Sequence, residues 1–175
     1  QIHHSFAKIA PDLSNRIFTV NGFAKSWAMT GWRIGYLTGN TEVIKKAIAL
    51  QSQSTSNVCS FAQKGAIAAL QGSKDCVHQM AKIYNERRTF IINRLKKIKD
   101  ISFVTPNGAF YVFPEIDKKG IDSISFCKLA LDKVGLAIVP GIAFGDDRCI
   151  RISYAASSET ISDGIDRLER LLNYL

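Results

Sequence analysis

The sequence predicts an α/β fold in two parts. A remnant of a larger domain of the parallel-sheet type is joined by one long helix to a small C-terminal α/β domain with a mostly antiparallel sheet. Two observations support this. Residues 74–97 carry a helical stripe of apolar side chains, and only beyond them do several short strands follow one another. We expect the boundary inside this helix, with residues 1–82 in the first domain and 83–175 in the second.

The first part begins with two short apolar segments. The first predicts a buried strand, and the second, which is bracketed by glycines, predicts another strand. A hydroxyl residue, Thr41, followed by an acid predicts the start of a helix. The polar run at 51–57 predicts a loop, because its serine, threonine and asparagine side chains compete for backbone hydrogen bonds. Gly72 is a natural helix end. The predicted elements are strands 17–20 and 34–37, helix 41–50, loop 51–57 and helix 60–70.

The second part alternates short strands with two further helices. The last of these has a serine start at Ser157 or Ser158 and an acid in its first turn, which favour helix initiation. The predicted elements are helix 74–97, strands 101–104 and 108–114, helix 123–134, strands 136–139 and 149–155, and a final helix to about Tyr174.

Composition is that of an ordinary globular chain, with 175 residues, 46% of them hydrophobic and 22% charged. No run approaches 18 apolar residues, so we expect no membrane span. The N-terminus has no basic segment followed by an apolar one, so we expect no signal peptide, and without an initiator methionine it suits a piece of a longer protein. The cysteines form no ligand spacing, which favours free thiols and a cytoplasmic location.

The formal charge of +8 raises the possibility of nucleic-acid binding. The densest basic stretch, residues 87–99, lies on the long helix beside an apolar stripe, and no groove-binding motif accompanies it. A solvated helix face explains these charges more simply, and we expect no nucleic-acid partner. No histidine or cysteine has the spacing of metal ligands, so we expect no metal site.

The chemically informative stretch is residues 21–36, Asn-Gly-Phe-Ala-Lys-Ser-Trp-Ala-Met-Thr-Gly-Trp-Arg-Ile-Gly-Tyr. Lys25 stands alone among small, aromatic and hydroxyl residues. Withdrawal from water would disfavour its charged form and make it an amine nucleophile or a Schiff-base former. Arg33 adds a permanent cation whose shape suits a phosphate.

This stretch resembles the signature of the fold-type I, class I/II aminotransferases, which use pyridoxal 5'-phosphate. The resemblance extends from about His3 to the C-terminus and is greatest to bacterial aspartate aminotransferases, in the subclass that includes aspartate/prephenate aminotransferases. It implies that residues 1–82 come from the large domain that binds the cofactor. It also implies that Lys25 carries the cofactor and moves protons, and that Arg33 holds its phosphate. Ala24 stands where the family has serine or threonine, so one phosphate ligand is missing.

The second candidate arginine is Arg151, in residues 148–156, Arg-Cys-Ile-Arg-Ile-Ser-Tyr-Ala-Ala. Side chains alternate between the two faces of a strand, so Arg151 and Ser153 lie on one face. An arginine central in a strand is costly to bury without an anion. In the resembled family the arginine of this motif binds the substrate α-carboxylate, although a structural ion pair would also explain it. Arg148 has no such role, and we expect a solvated surface charge.

Two weaker candidates come from the same resemblance. Phe110, in Asn-Gly-Ala-Phe-Tyr-Val-Phe-Pro, would flank the substrate, but a core position is an equal alternative. Ser52, in the 51–57 run, falls where another subclass uses an arginine for the distal carboxylate of aspartate, and would offer only a hydroxyl. In the resembled dimers this run crosses into the partner's active site.

The resemblance therefore implies transamination between an amino acid, most simply aspartate, and a 2-oxo acid such as 2-oxoglutarate, in a homodimeric protein. The family's acid facing the cofactor ring would precede residue 1, so we expect little activity from this chain alone. Two alternatives stay open. One is a C–S (β-elimination) lyase or an aromatic or prephenate aminotransferase, and the other is a non-catalytic interaction or dimerisation domain.

Overall fold

The computed structural model describes residues 3–99, 101–117 and 119–175. The chain divides into two compact units, the first up to Gln79 (unit 1) and the second Met80–Leu175 (unit 2). The expected domain boundary after residue 82 lies in the same helix as this division, and as a statement about domains it stays a prediction.

The α-helices of the described residues are α1 (Phe6–Ile9), α2 (Thr41–Ser54), α3 (Ser60–Gln71), α4 (Asp75–Leu95), α5 (Ser123–Val134) and α6 (Ser158–Tyr174). The strands are β1 (Thr19–Gly22), β2 (Gly35–Thr38), β3 (Ile101–Ser102), β4 (Tyr111–Val112), β5 (Glu115–Ile116), β6 (Val139–Pro140) and β7 (Ile150–Ser153). The α/β class is confirmed. None of the described helices is long and apolar enough to cross a membrane.

In unit 1, β1 and β2 form an antiparallel pair that aligns Thr19 with Thr38 and Gly22 with Gly35. The parallel type expected for the larger domain stays a prediction. The expectation of a buried strand at 17–20 is wrong for this chain, since Phe18 is 42% exposed and Val20 is 78% exposed. The connection 23–34 contains turns and a short 3-10 segment but no α-helix. Parallel neighbours need a crossover, which is usually helical, and this connection instead returns the chain beside β1.

Helix α2 is longer than expected, because Gln51–Ser54 continue it and only the end of the 51–57 run leaves the helix. The loop prediction for 51–54 is wrong for a physical reason. The Ser52 and Ser54 hydroxyls donate to the carbonyls of Ala49 (2.8 Å) and Gln51 (3.3 Å), so they bond within the helix instead of ending it. The N-cap is Asn40, not Thr41, and its Oδ1 accepts from Glu42 N and Val43 N. Helix α3 ends at Gly72 as predicted.

Unit 2 contains the expected antiparallel strands. β7 lies between β4 and β6, and β3 pairs with β5. The strands are shorter than predicted. The predicted strand 101–104 is reduced to Ile101–Ser102, and the predicted strand 136–139 is replaced by the two-residue strand Val139–Pro140. The long helix ends at Leu95, two residues before the predicted end at Lys97. The final helix starts after its N-cap Ser157, as predicted.

The core of unit 2 lies between these strands and helices α4, α5 and α6. Helix α6 buries Ile161, Ile165, Leu168 and Leu171, whose spacing places them on one face. They pack with fully buried Phe126 of α5 and with other core members. Those other members are Ile91, Leu95, Ile98, Val112, Ile116, Ala130, Ile150 and Tyr154. This core fixes β7, the strand that carries Arg151.

Candidate active site

Lys25 lies in a turn directly after β1 that is closed by backbone hydrogen bonds. The Phe23 carbonyl accepts from the amides of Trp27 and Met29, both at 3.3 Å, and the Lys25 carbonyl accepts from Ala28 N at 3.1 Å. Ala28 has a φ of 54°, in the left-handed region that an alanine adopts only when surrounding bonds hold it there. The turn therefore has a defined shape before any ligand binds.

Aromatic packing anchors this turn. Phe23 is 2% exposed, and its ring lies 5.3 Å from that of Trp27 and 5.8 Å from that of Tyr36. The Trp32 ring packs so closely on α3 that a Cβ at Gly65 would come within 2.5 Å of it. Both ends of the 23–34 connection are thus held within unit 1.

The Lys25 side chain itself is exposed. The expectation that this lysine is withdrawn from water is therefore wrong for this chain. The turn lies at the surface between the short side chains of Ala24 and Ser26, which cannot shield a long aliphatic stem and its ammonium group.

Arg33 lies in the same connection, also exposed and with a φ of 50°. Its Nη1 donates to the Thr30 carbonyl at 3.1 Å. No carboxylate of the described residues forms an ion pair with it, so most donors of the guanidinium remain available to an anion. Its role toward phosphate stays a prediction.

The donors of the connection fit pyridoxal 5'-phosphate in kind. Lys25 supplies a primary amine for the aldehyde, and Arg33 supplies a guanidinium suited to phosphate. Trp27 Nε1 is a buried donor with no hydrogen-bond partner among the described residues, so this part of the site has unused polar capacity. Ala24 offers no hydroxyl.

Arg151 lies on the central strand β7 of unit 2. The predicted alternation is confirmed, since Ile150 and Tyr154 are buried whereas Ser153 on the Arg151 face is exposed. The structural ion-pair alternative is not what the described residues show, because none of their carboxylates pairs with Arg151. Its guanidinium lies instead against two aromatic rings, 4.5 Å from the centroid of Phe144 and 5.3 Å from that of Tyr111.

Arg148, on the same segment, has the opposite environment. It donates twice to the Asp146 carboxylate, at 3.0 and 2.7 Å, and lies 3.5 Å from a Glu115 oxygen. These bonds to Arg148 lower the pKa of Asp146 to about 2. The prediction of a solvent-exposed charge is confirmed, but the charge is paired and not merely solvated.

The two weaker candidates lie in different surroundings. Phe110 is half-buried and packs at the edge of the unit 2 core, 6.4 Å from the Tyr84 ring. Ser52 is exposed on α2 with its hydroxyl bonded to Ala49, within its own helix. Their substrate contacts stay predictions.

Among the predicted site residues, the structure brings Lys25 and Arg33 into one connection of unit 1 and places Arg151 and Phe110 in unit 2. Sequence reasoning missed Tyr111 and Phe144. Both are aromatic residues in segments that resemble the family, yet nothing in the sequence pairs them with Arg151. Only the register of β4 on β7 and the turn before β7 do so.

The α/β fold and the presence of Lys25 and Arg33 in one connection agree with the protein family that the sequence matches. The sequence model described as "Aminotransferase class I and II" matches residues 3–168. The chain belongs to this aminotransferase family.

Named relatives cover the same stretch. The chain is 43% identical to an aspartate aminotransferase of Pinus pinaster, over 97% of this chain and 37% of that protein. It is 43% identical to a probable aspartate/prephenate aminotransferase of Rickettsia felis, over 95% of this chain and 43% of that protein. Among solved structures, an aromatic aminotransferase from Pyrococcus horikoshii matches with a TM-score of 0.92 and 35% identity, covering 99% of this chain and 47% of that one. The chain thus spans less than half the length of these relatives.

Proposed function

We propose that the protein to which these residues belong is a pyridoxal-phosphate-dependent aminotransferase. It would move an amino group between an amino acid, aspartate first, and a 2-oxo acid, 2-oxoglutarate first. The observation that carries this is the 23–34 connection, which contains both Lys25 and Arg33 in a chain of the aminotransferase family.

The cofactor, when bound, supplies an electron sink for the carbanion that forms at the substrate Cα. This chain's residues do the rest. Arg33 holds the phosphate through charge-assisted hydrogen bonds. Lys25 Nζ would move the proton between the substrate Cα and C4′ of the cofactor, acting as general base and then as general acid. Arg151 binds the α-carboxylate through two parallel N–H donors and fixes the orientation of the Cα–H bond.

The choice of amino acid depends on the side chain of the substrate. Ser52 would offer a hydroxyl, which hydrogen-bonds a distal carboxylate more weakly than an arginine does. Prephenate is a second candidate among the oxo acids, supported by the similarity to the probable aspartate/prephenate aminotransferase of Rickettsia felis. We also propose a homodimer, and a reducing, cytoplasmic compartment, which suits the four free cysteines.

We propose further that the 175 residues alone turn over slowly. The relatives carry more than half of their length outside the matched stretch. A coupled assay with aspartate and 2-oxoglutarate should show turnover far below that of the Rickettsia felis relative assayed in parallel. Comparable rates would contradict this part of the proposal.

Cofactor binding is tested by absorbance. Addition of pyridoxal 5'-phosphate should shift its visible band, and Lys25→Ala should abolish the shift. Lys46→Ala, which removes an exposed lysine of α2, is the matched control and should leave the shift intact. Arg33→Gln should weaken the titration while preserving the final spectrum. A band shift that survives Lys25→Ala would overturn the assignment of Lys25.

A further inference from the structure

The two arginines of the 148–151 segment are held in different ways. Arg148 is neutralised by Asp146 and Glu115, whereas the aromatic rings of Tyr111 and Phe144 lie against Arg151. A carboxylate partner occupies the in-plane N–H donors of a guanidinium. An aromatic ring attracts the cation through its electron-rich face and leaves these donors available. Arg151 is therefore held without losing its capacity for a bidentate anion.

We propose that Tyr111 and Phe144 are positioning residues that orient the Arg151 guanidinium for a substrate carboxylate. This inference rests on the proposed function, since it assigns the means by which the carboxylate arginine is held. It adds two residues that the motif does not include.

The strand register fixes one of the two rings. Tyr111 of β4 aligns with Ser153 of β7, and Arg151 lies two positions earlier on the same face. Such a diagonal neighbour is within reach of an aromatic and a long side chain. The Tyr111 ring is in turn braced edge-on by Phe110, at 5.8 Å between centroids. Through this contact Phe110 supports the Tyr111 ring, independently of any contact between Phe110 and the substrate.

A locked turn fixes the other ring. Phe144 ends a 3-10 segment, Gly141–Phe144, that connects β6 to the segment before β7. The turn is tight enough that a Cβ on Gly141 would overlap the Cys149 carbonyl oxygen. Gly145 follows with a φ of 90°, which only glycine adopts readily. Phe113 packs edge-on against Phe144 at 5.9 Å.

A buried polar node ties this turn to α5. Ser123 is fully buried, and its hydroxyl donates to Asp147 Oδ1 at 2.6 Å and accepts from Ile142 N at 3.2 Å. Its amide donates to the same carboxylate oxygen at 2.9 Å. The backbone on both sides of Phe144 is therefore fixed, which sets the position from which its ring reaches Arg151.

The first test needs no substrate. In the NMR spectrum of the whole 175-residue chain, the Arg151 Hδ and Hε signals should be shifted upfield by the rings. Phe144→Leu and Tyr111→Leu should each reduce that shift, whereas Phe144→Tyr, which keeps a ring, should retain it. Tyr174→Leu is the matched control, because it removes an aromatic ring beside another cation, Lys133. Arg151 signals that are unchanged in both leucine variants would overturn the inference.

The second test separates this inference from the proposed function. Titration with 2-oxoglutarate, followed by the Arg151 Nε–Hε signal, should give a dissociation constant that Phe144→Leu raises about two- to fivefold, the effect of a partly exposed cation–π contact. Phe144→Tyr should restore it. A response of Arg151 to 2-oxoglutarate that the leucine variants do not weaken would sink the positioning role alone. If the Arg151 signals depend on the two rings but do not respond to 2-oxoglutarate, the assignment of Arg151 to a substrate carboxylate is wrong, and so is the inference.

Discussion

The two units differ in how many of their apolar side chains are buried. In the described part of unit 1 the buried hydrophobic residues are Phe23, Ala62 and Ala66, whereas unit 2 buries a continuous cluster of Ile, Leu, Val, Phe and Tyr residues. Large hydrophobic residues stand exposed in unit 1. They include Phe6, Ile9, Phe18, Val20, Val43, Ile48, Leu50, Phe61, Ile67 and Leu70.

The residues that stabilise the fold and the predicted cofactor-binding residues therefore lie in different units. Because the hydrophobic effect scales with the apolar area removed from water, unit 2 has most of the stabilising burial. Lys25 and Arg33, however, lie in unit 1, in a connection held by turn hydrogen bonds and a few aromatic contacts.

The sharpest test of the comparison removes a phenylalanine from each unit. Phe126→Ala in α5 empties a site that is 0% exposed and should lower the free energy of unfolding by about 3–5 kcal/mol. Phe61→Ala in α3 truncates a side chain that is 74% exposed and should change it by less than about 0.5 kcal/mol. Urea unfolding of both variants measures this, and equal losses would break the comparison.

The buried polar node of unit 2 gives the next effect. Ser123→Ala removes a buried hydroxyl between Asp147 and the Ile142 amide and should destabilise the chain by about 1–3 kcal/mol. Ser26→Ala, at an exposed serine beside Lys25, is the control and should be nearly neutral. Thermal unfolding of the two variants checks the difference. A neutral Ser123→Ala would show that the turn before β7 is held by packing alone.

Helix caps sharpen the comparison at a smaller scale. Ser157 Oγ accepts from Thr160 N at 3.2 Å, and its loss in Ser157→Ala should cost about 1 kcal/mol of global stability, because α6 packs on the core. Asn40→Ala removes the cap of α2 in unit 1 and should raise amide exchange in the first turn of α2 more than it lowers global stability. Hydrogen exchange distinguishes the two. A global loss in both would mean that the units unfold as one.

The smallest expected effect concerns the paired arginine. Arg148→Gln should return the pKa of Asp146 from about 2 toward its ordinary value of 3.8, since the main hydrogen bond to the carboxylate is lost. Because the folded-state pKa of Asp146 is depressed, its contribution is present above the unfolded pKa. It is lost as the pH falls toward 2. Arg151→Gln is the control and should leave the carbon NMR titration of Asp146 unchanged; an equal shift in both variants would contradict the separate roles of the two arginines.

Local patterns predicted the helices well. The apolar spacing and serine cap of α6 and the glycine end of α3 are local signals, and the structure has both elements where they indicate. The 51–54 segment was not predictable in this way, because a serine hydroxyl can end a helix or bond within it. The pairing of the first two strands could not be predicted either, because the antiparallel partnership of β1 and β2 depends on the path of the connection between them.

The site divides along the same line. Lys25, Arg33 and Arg151 could be proposed from motifs because each lies in a contiguous stretch of the sequence. The exposure of Lys25 also depends on its turn lying at the surface of unit 1, which the motif does not indicate. The two rings against Arg151 come from β4 and from the turn before β7, so only the folded register places them there.

The most direct test of the central claim is to locate the cofactor on the chain. After incubation with pyridoxal 5'-phosphate and reduction with borohydride, peptide mass spectrometry should find the added mass on Lys25. The label there should greatly exceed that on exposed Lys45 and Lys46 of α2, and Arg33→Gln should reduce the preference. Labelling of Lys25 no greater than that of the α2 lysines would contradict the account.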